Sequence, residues 1–212
     1  MPCSLNEVRS ALALPDFDGF AAQRRMAPST RPVGRFESRS GGPRLGGVLL
    51  LLYCADDEVT LVLTRRPNYD GVHSGQVSCP GGSHEPPEDL EMTALRETQE
   101  EIGVDPADVV ILGQLTSLYI PPSDFEVHPF VGFFSDGRPV FAPDPYEVAA
   151  IIEVPLRVLL DTHTRAEEPW DLRGMEVTVP FFRIGEHKVW GATAMILSEL
   201  VERVRYVRLV TY

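Results

Sequence analysis

Residues 48–55, VLLLLYCA, are the longest unbroken apolar run of the chain. A strand covered on both faces needs no polar alternation, so this run predicts a central strand of a doubly covered sheet. Asp56, Asp57 and Glu58 end it with a polar turn, and VTLVLTRR at 59–66 predicts its hairpin partner. Upstream, Leu5, Val8 and Leu12 recur at helical spacing within 4–14. The stretch after them is rich in Gly, Pro, Ser and Arg and has no period. Residues 1–44 are therefore expected to form a short helix and an irregular arm packed on the domain. Beyond a Gly/Pro/His/Ser loop at 67–82, Pro86 and Pro87 open a helix that Gly103 closes. Strands are expected near 109–117, 127–134, 148–153 and 176–184, with a short helix at 155–161. A last helix is expected from 190 to 204, with Ala194, Leu197, Leu200, Val201 and Val204 inward. This order predicts an α/β fold, a mixed β-sheet sandwiched between helices.

Length and charge narrow the partners. The 212 residues suit one domain over 1–212, and 43% hydrophobic with 24% charged residues is a globular composition. With 31 acidic against 19 basic side chains the formal charge is −12. That balance argues against coating a nucleic acid and leaves a small nucleotide ligand open. Cys3, Cys54 and Cys79 are odd in number and at no metal-binding spacing, which fits a reducing compartment. The first residues lack the apolar core of a signal peptide, and no apolar run approaches the roughly 20 residues of a membrane span. The expectation is a cytoplasmic protein, monomer or homodimer, with neither nucleic-acid nor membrane partners.

The densest chemistry lies at 82–104. Gly82-Ser-His-Glu-Pro-Pro-Glu88 is followed, after seven residues, by Arg96-Glu97-Thr98-Gln99-Glu100-Glu101-Ile102-Gly103-Val104. At about 100° per residue, Glu97 and Glu101 lie about 40° apart, and Glu100 about 60° to the other side of Glu97. Three carboxylates thus share a face, while Ala94, Leu95, Thr98 and Ile102 form a neighbouring stripe that can anchor the helix. Like charges one turn apart repel, and a hard divalent cation such as Mg²⁺ or Mn²⁺ relieves that repulsion through oxygen ligands. Read in isolation, the same run is a solvated acidic face. Arg96 is within reach of both Glu88 and Glu100.

Context changes that reading. Gly82, Glu88, Arg96, Glu97, Glu100, Glu101 and Gly103 match every fixed position of the signature box of the Nudix hydrolases, which this segment resembles; Thr98 alone stands where an apolar residue is usual. The resemblance implies hydrolysis of a diphosphate linked to another moiety, with a divalent metal. It further implies Glu97, Glu100 and Glu101 as metal ligands, completed by the backbone carbonyl of Gly81 or Gly82. Arg96 and Glu88 are implied as the partners that orient them.

LVLTRRPNYDGVHSGQVSCPGG, 61–82, resembles the motif preceding the box in coenzyme A pyrophosphatases. Leu63, Thr64, Arg66, Gly75, Gln76, Pro80, Gly81 and Gly82 match, and His73 occupies a position often held by histidine. Pro67, Gly71 and Cys79 depart from it. Gly71 replaces a basic residue, a place for which Arg65, Arg24 and Arg25 are the candidate substitutes. FAAQRRMAP (20–28), YIPPSDFEVHPFVGFF (119–134) and VWGATAMILSEL (189–200) extend the resemblance. Glycines at 75, 81 and 82 allow close approach of backbone to phosphate, and Arg66 offers a planar fork for it. With His73, Gln76 and Gly82 it forms the expected substrate-binding set, for a small nucleotide like coenzyme A.

The catalytic base is sought in PDPYEVAAIIEVPL (143–156), which holds Glu147 and Glu153. Glu147, ahead of the expected strand, is favoured over Glu101 or another box glutamate. Asp124 and His128 are equally ligand contacts or turn and core residues, and Phe130, Phe133 and Trp190 are expected in the core. The implied products are 3′,5′-ADP and (acyl-)4′-phosphopantetheine. Rival readings are a Nudix hydrolase of ADP-ribose, nucleoside triphosphates or dinucleoside polyphosphates, and a Nudix-fold module that binds nucleotides without turnover.

Overall fold

The apolar run is the latter part of a longer strand, β1 (Arg44–Ala55), which pairs antiparallel with β2 (Glu58–Arg65). A computed structural model describes residues 2–29, 42–55, 57–67, 75–172 and 174–211. Before β1 stand α1 (Leu5–Leu12) and α2 (Gly19–Arg24). After β2 come β3 (Val77–Ser78), β4 (Gly81–Ser83) and α3 (Leu90–Ile102). Then follow β5 (Val109–Gln114), β6 (Leu118–Ile120), β7 (Phe125–Phe134), β8 (Ala150–Pro155) and α4 (Leu156–Leu160). The chain ends in β9 (Arg165–Leu172), β10 (Met175–Ile184), β11 (His187–Trp190) and α5 (Gly191–Thr211).

The main sheet runs β3-β2-β1-β7-β5, with β4 added to β1, β6 to β7 and β8 to β2. β1 and β7 are parallel and the other pairs antiparallel, so the sheet is mixed. Successive side chains of a strand point to opposite faces. Leu49, Leu51 and Tyr53 accordingly join Val62 and the Ala94, Leu95 and Ile102 stripe of α3 in one core. Leu50 and Leu52 join Leu61, Leu63 and the inner side of α5 in the other. Helices cover both faces, as expected. The five inward residues named for the last helix are all buried.

Several boundaries differ from expectation, each for a physical reason. β1 starts at Arg44 because Gly46 and Gly47 are strand residues that let neighbours in. A Cβ on Gly47 would lie 2.3 Å from the Leu90 carbonyl oxygen of α3. The central helix starts at Leu90, not at the prolines, because Asp89 caps it by accepting from the Met92 amide at 2.8 Å. The arm is not wholly irregular: α2 lies within it, capped by Asp18 and packed on α5. β9 and β11 were not expected. They flank β10 in a separate three-stranded sheet. β9 is an edge strand carrying Glu167, Glu168 and Pro169, a composition that hides a strand. α5 runs seven residues beyond 204, to Thr211, held by Val207 in the core and by an Arg208–Glu7 ion pair at 2.7 Å. Among the described residues no helix is long and apolar enough to cross a membrane.

Candidate active site

α3 is pressed onto β1 by its apolar stripe, and this decides the fate of each glutamate. Glu101 falls on the buried side and is only 4% exposed, whereas the Glu100 side chain is 59% exposed and Glu97 lies between. Thr98, the one departure from the box, is buried and returns its hydroxyl to the Ala94 carbonyl at 2.7 Å, so its methyl packs without an unpaired polar group. Gly103 ends the helix in the left-handed region, φ 77°, and donates to Gln99 at 2.8 Å.

Arg96 is the hub of the acidic face. Its guanidinium donates to both oxygens of Glu88 at 2.9 and 3.0 Å, to Glu97 at 3.0 Å, to Glu100 at 2.9 Å and to the Ser83 carbonyl at 3.2 Å. These bonds hold the Glu88 carboxyl down to about 2. Glu88 is braced in turn by the Thr93 hydroxyl at 2.8 Å, itself 3.2 Å from His84, and by the Glu85 amide at 3.1 Å. Sequence reasoning found the Arg96 pairs with Glu88 and Glu100 but not this bracing. The threonine one turn ahead of the arginine was its only signal.

Glu101 lies outside Arg96's reach. Burial pushes its carboxyl up to about 7; Arg66 opposes this, and Glu147 and Glu97 add to it. The Gly81 amide donates to it, and the Thr64 hydroxyl approaches at 3.4 Å. Burial likewise raises Glu97, against Arg96, with Glu100 and Glu147 reinforcing the rise. Cys79, beside Glu101, is inert: burial first and that carboxylate second push its thiol up to about 12.

The glycines shape this floor. Gly81 has φ 149°, and a Cβ there would lie 2.4 Å from the Gly47 carbonyl oxygen. A Cβ on Gly82 would lie 2.4 Å from the Glu97 carboxylate. The structure thus brings together Glu97, Glu101, Arg66, Gly81, Gly82 and Glu147, with Glu100, Arg96 and Glu88 alongside. Gln76 joins through its carbonyl, which accepts from the Arg66 amide at 3.0 Å. His73 and Gly71 lie outside the described residues.

The two candidate carboxylates of 143–156 separate clearly, Glu147 ahead of β8 and Glu153 within it. Glu153 accepts two bonds from Arg138, each 2.7 Å, and another from the Tyr53 hydroxyl, so it is committed to an ion pair. Glu147 is exposed and repels both Glu97 and Glu101. Asp124 takes the turn role, with φ 50° and a bond from the Tyr119 hydroxyl, and His128 faces Glu126 at 3.5 Å. Arg25 pairs with Glu202 at 2.8 Å, a carboxylate that also takes Arg165 and Arg205.

The donor chemistry fits a hard divalent cation. All the donors are oxygens, and burial and mutual repulsion disfavour charge on Glu97 and Glu101 in a way a cation would offset. Among the described residues no three acidic, histidine or cysteine side chains are grouped as a metal ion would need them. Arg96 instead draws Glu97 and Glu100 to itself, and Glu100 is the more exposed of the two.

Residues 43–172 match the NUDIX domain family. The chain is 36% identical over 167 residues to an uncharacterized Nudix hydrolase, NudL, of Photorhabdus laumondii, covering 78% of this chain and 88% of that one. It is 34% identical over 184 residues to Nudix hydrolase 15, mitochondrial, of Arabidopsis thaliana, covering 82% of this chain and spanning 62% of the plant protein's length. An Ap4A hydrolase of C. elegans, solved as a binary complex, aligns with a TM-score of 0.53 at 14% identity, over 80% of this chain and 99% of its own. At that identity the likeness speaks for the fold.

Proposed function

Because the chain belongs to the Nudix family, we propose that it is a divalent-metal-dependent hydrolase of nucleoside diphosphate derivatives. Its proposed substrate is coenzyme A or an acyl-coenzyme A, split into 3′,5′-ADP and (acyl-)4′-phosphopantetheine. One observation carries the reading. A buried glutamate, kept clear of the arginine that binds its neighbours, faces Arg66 and the Gly81–Gly82 backbone. The coenzyme A half rests on the motif matches at 61–82.

Glu97, Glu100 and Glu101, with the Gly81 carbonyl, would hold Mg²⁺ or Mn²⁺, which when bound neutralises phosphate oxygens and acidifies water. Glu147 takes the proton of the water that attacks one phosphorus. The bridging P–O bond breaks, and Arg66 offsets charge developing on the departing phosphate. Arg96, gripped by Glu88, keeps Glu97 and Glu100 in place. Gly82 lets backbone approach phosphate, and Gln76 and His73 contact substrate. Three free cysteines favour a reducing compartment such as the cytoplasm for this enzyme.

Gly82→Ala is expected to displace Glu97 and lower turnover at least tenfold, with the melting temperature moving by only a few degrees; steady-state rates and a thermal melt check it. The substrate is tested with Mg²⁺ and a panel of coenzyme A, ADP-ribose, NADH and dNTPs, following product release. Coenzyme A is expected to be cleaved preferentially. Preference for dNTPs ends the coenzyme A reading, and binding without turnover favours a nucleotide-binding module. The glycine at 71, where coenzyme A's 3′-phosphate wants a cation, favours ADP-ribose or dinucleoside polyphosphates as the second reading.

A further inference from the structure

The last carbonyls of a helix have no partner inside it and must find one elsewhere. At the end of α3 two of them are taken by the loop that carries Glu147. The Ala142 amide donates to the Ile102 carbonyl and the Asp144 amide to the Glu101 carbonyl, both at 2.9 Å. Asp144 then closes a turn on itself. Its side chain accepts from the Tyr146 amide at 2.9 Å, and its carbonyl from the Glu147 amide at 3.1 Å and the Val148 amide at 2.8 Å. On the far side the Ala149 amide donates to the Arg65 carbonyl at 2.8 Å, next to Arg66. Val148, between these anchors, is 4% exposed in the core under α3.

The turn is therefore tied at one end to the backbone of Glu101 and at the other to the strand that presents Arg66. Glu147 lies in this turn, close enough for its charge to raise both Glu97 and Glu101. A base on a loose loop would lose the orientation that makes proton transfer efficient.

We propose that Asp144 is a positioning residue, whose capped turn joins the Glu147 loop to the end of the acidic helix and holds the Glu147 carboxylate over the site. This rests on the role given to Glu147 above. Asp144 itself touches no reacting atom. Its Oδ1 is the acceptor that fixes the first amide of the turn, and asparagine offers the same acceptor without charge.

The test is a double-substitution cycle with Mg²⁺ and the preferred substrate, read with amide hydrogen exchange on the metal-free protein. Asp144→Ala is expected to lower kcat about tenfold with KM within twofold, and to speed exchange of the Tyr146–Val148 amides at least tenfold. Asp144→Asn is expected to restore both. In the Glu147→Gln background, Asp144→Ala is expected to cost nothing more, because residues acting through one group are not additive. Asp144→Ser, with a shorter acceptor, gives an intermediate effect and serves should the alanine variant not fold. An equal loss of kcat in both backgrounds, or parental kcat with the turn amides exposed, overturns the proposal. If Glu147→Gln itself turns over normally, the role of Glu147 fails; a loss on Asp144→Ala in that case also overturns the proposal, since the loss does not run through Glu147.

Discussion

Replacing Glu101 by glutamine is expected to cut turnover at least a hundredfold while raising the melting temperature of the metal-free protein at pH 8 by several degrees. Both effects have one cause. Glu101 is almost fully buried, and its carboxyl sits at about 7 instead of the ordinary 4.5. A group raised in the folded state stabilises the fold fully below its unfolded value and loses that contribution as pH climbs through the folded value. The parent is therefore expected to weaken between about pH 4.5 and pH 7. At about 1.4 kcal/mol for each pH unit of separation, the ionised form costs on the order of 3 kcal/mol by pH 8. Glutamine fills the same space without the charge, so its stability is expected to be nearly flat over that window. Added Mg²⁺, binding the folded parent alone, is expected to narrow the gap. Melts from pH 4 to 9 in chelator, beside steady-state kinetics, read both arms. A near-parental rate removes Glu101 from the site, and parallel pH curves remove its buried charge from the stability argument.

The second large effect lies away from the chemistry. Glu199 of α5 is fully buried. It accepts from the Thr116 amide at 3.1 and 3.2 Å, the Thr116 hydroxyl at 3.0 Å and Gln23 at 3.0 Å, and pairs with Arg203 at 3.0 Å. Removing one partner of a buried pair leaves the other charge stranded, a loss of about 3–5 kcal/mol. Glu199→Ala is expected to fall in that range by urea unfolding and to open residues 13–29 to proteolysis. The folded fraction is expected to keep its kcat at low temperature. Adding Arg203→Met is expected to recover part of the loss, since the uncompensated guanidinium is then gone. A Glu199→Ala loss below about 1 kcal/mol contradicts this account of the network.

What the sequence made legible follows from distance along the chain. The acidic face was readable because helical periodicity fixes where Glu97, Glu100 and Glu101 lie, and Arg96 finds Glu88 and Glu100 within eight residues. The inward side of α5 was readable for the same reason. The buried state of Glu101 was not, because it depends on Thr64 and Gly81, which strand pairing brings to it. Glu147 was favoured over the box glutamates because it precedes a strand, but the commitment of Glu153 to Arg138, fifteen residues away, was not legible. β9 stayed hidden because an edge strand with one neighbour needs little apolar alternation. α2 stayed hidden because six residues offer less than two turns of pattern.

β1 has a consequence for how this protein can change. Neighbouring letters in VLLLLY serve different tenants of the sheet. Leu49 and Leu51 support the helix that bears the glutamates, while Leu50 and Leu52 support the long C-terminal helix on the reverse side. A substitution at an odd position acts on the seat of the acidic helix and one at an even position on that of the C-terminal helix, so drift in the two can proceed separately through a single stretch of chain.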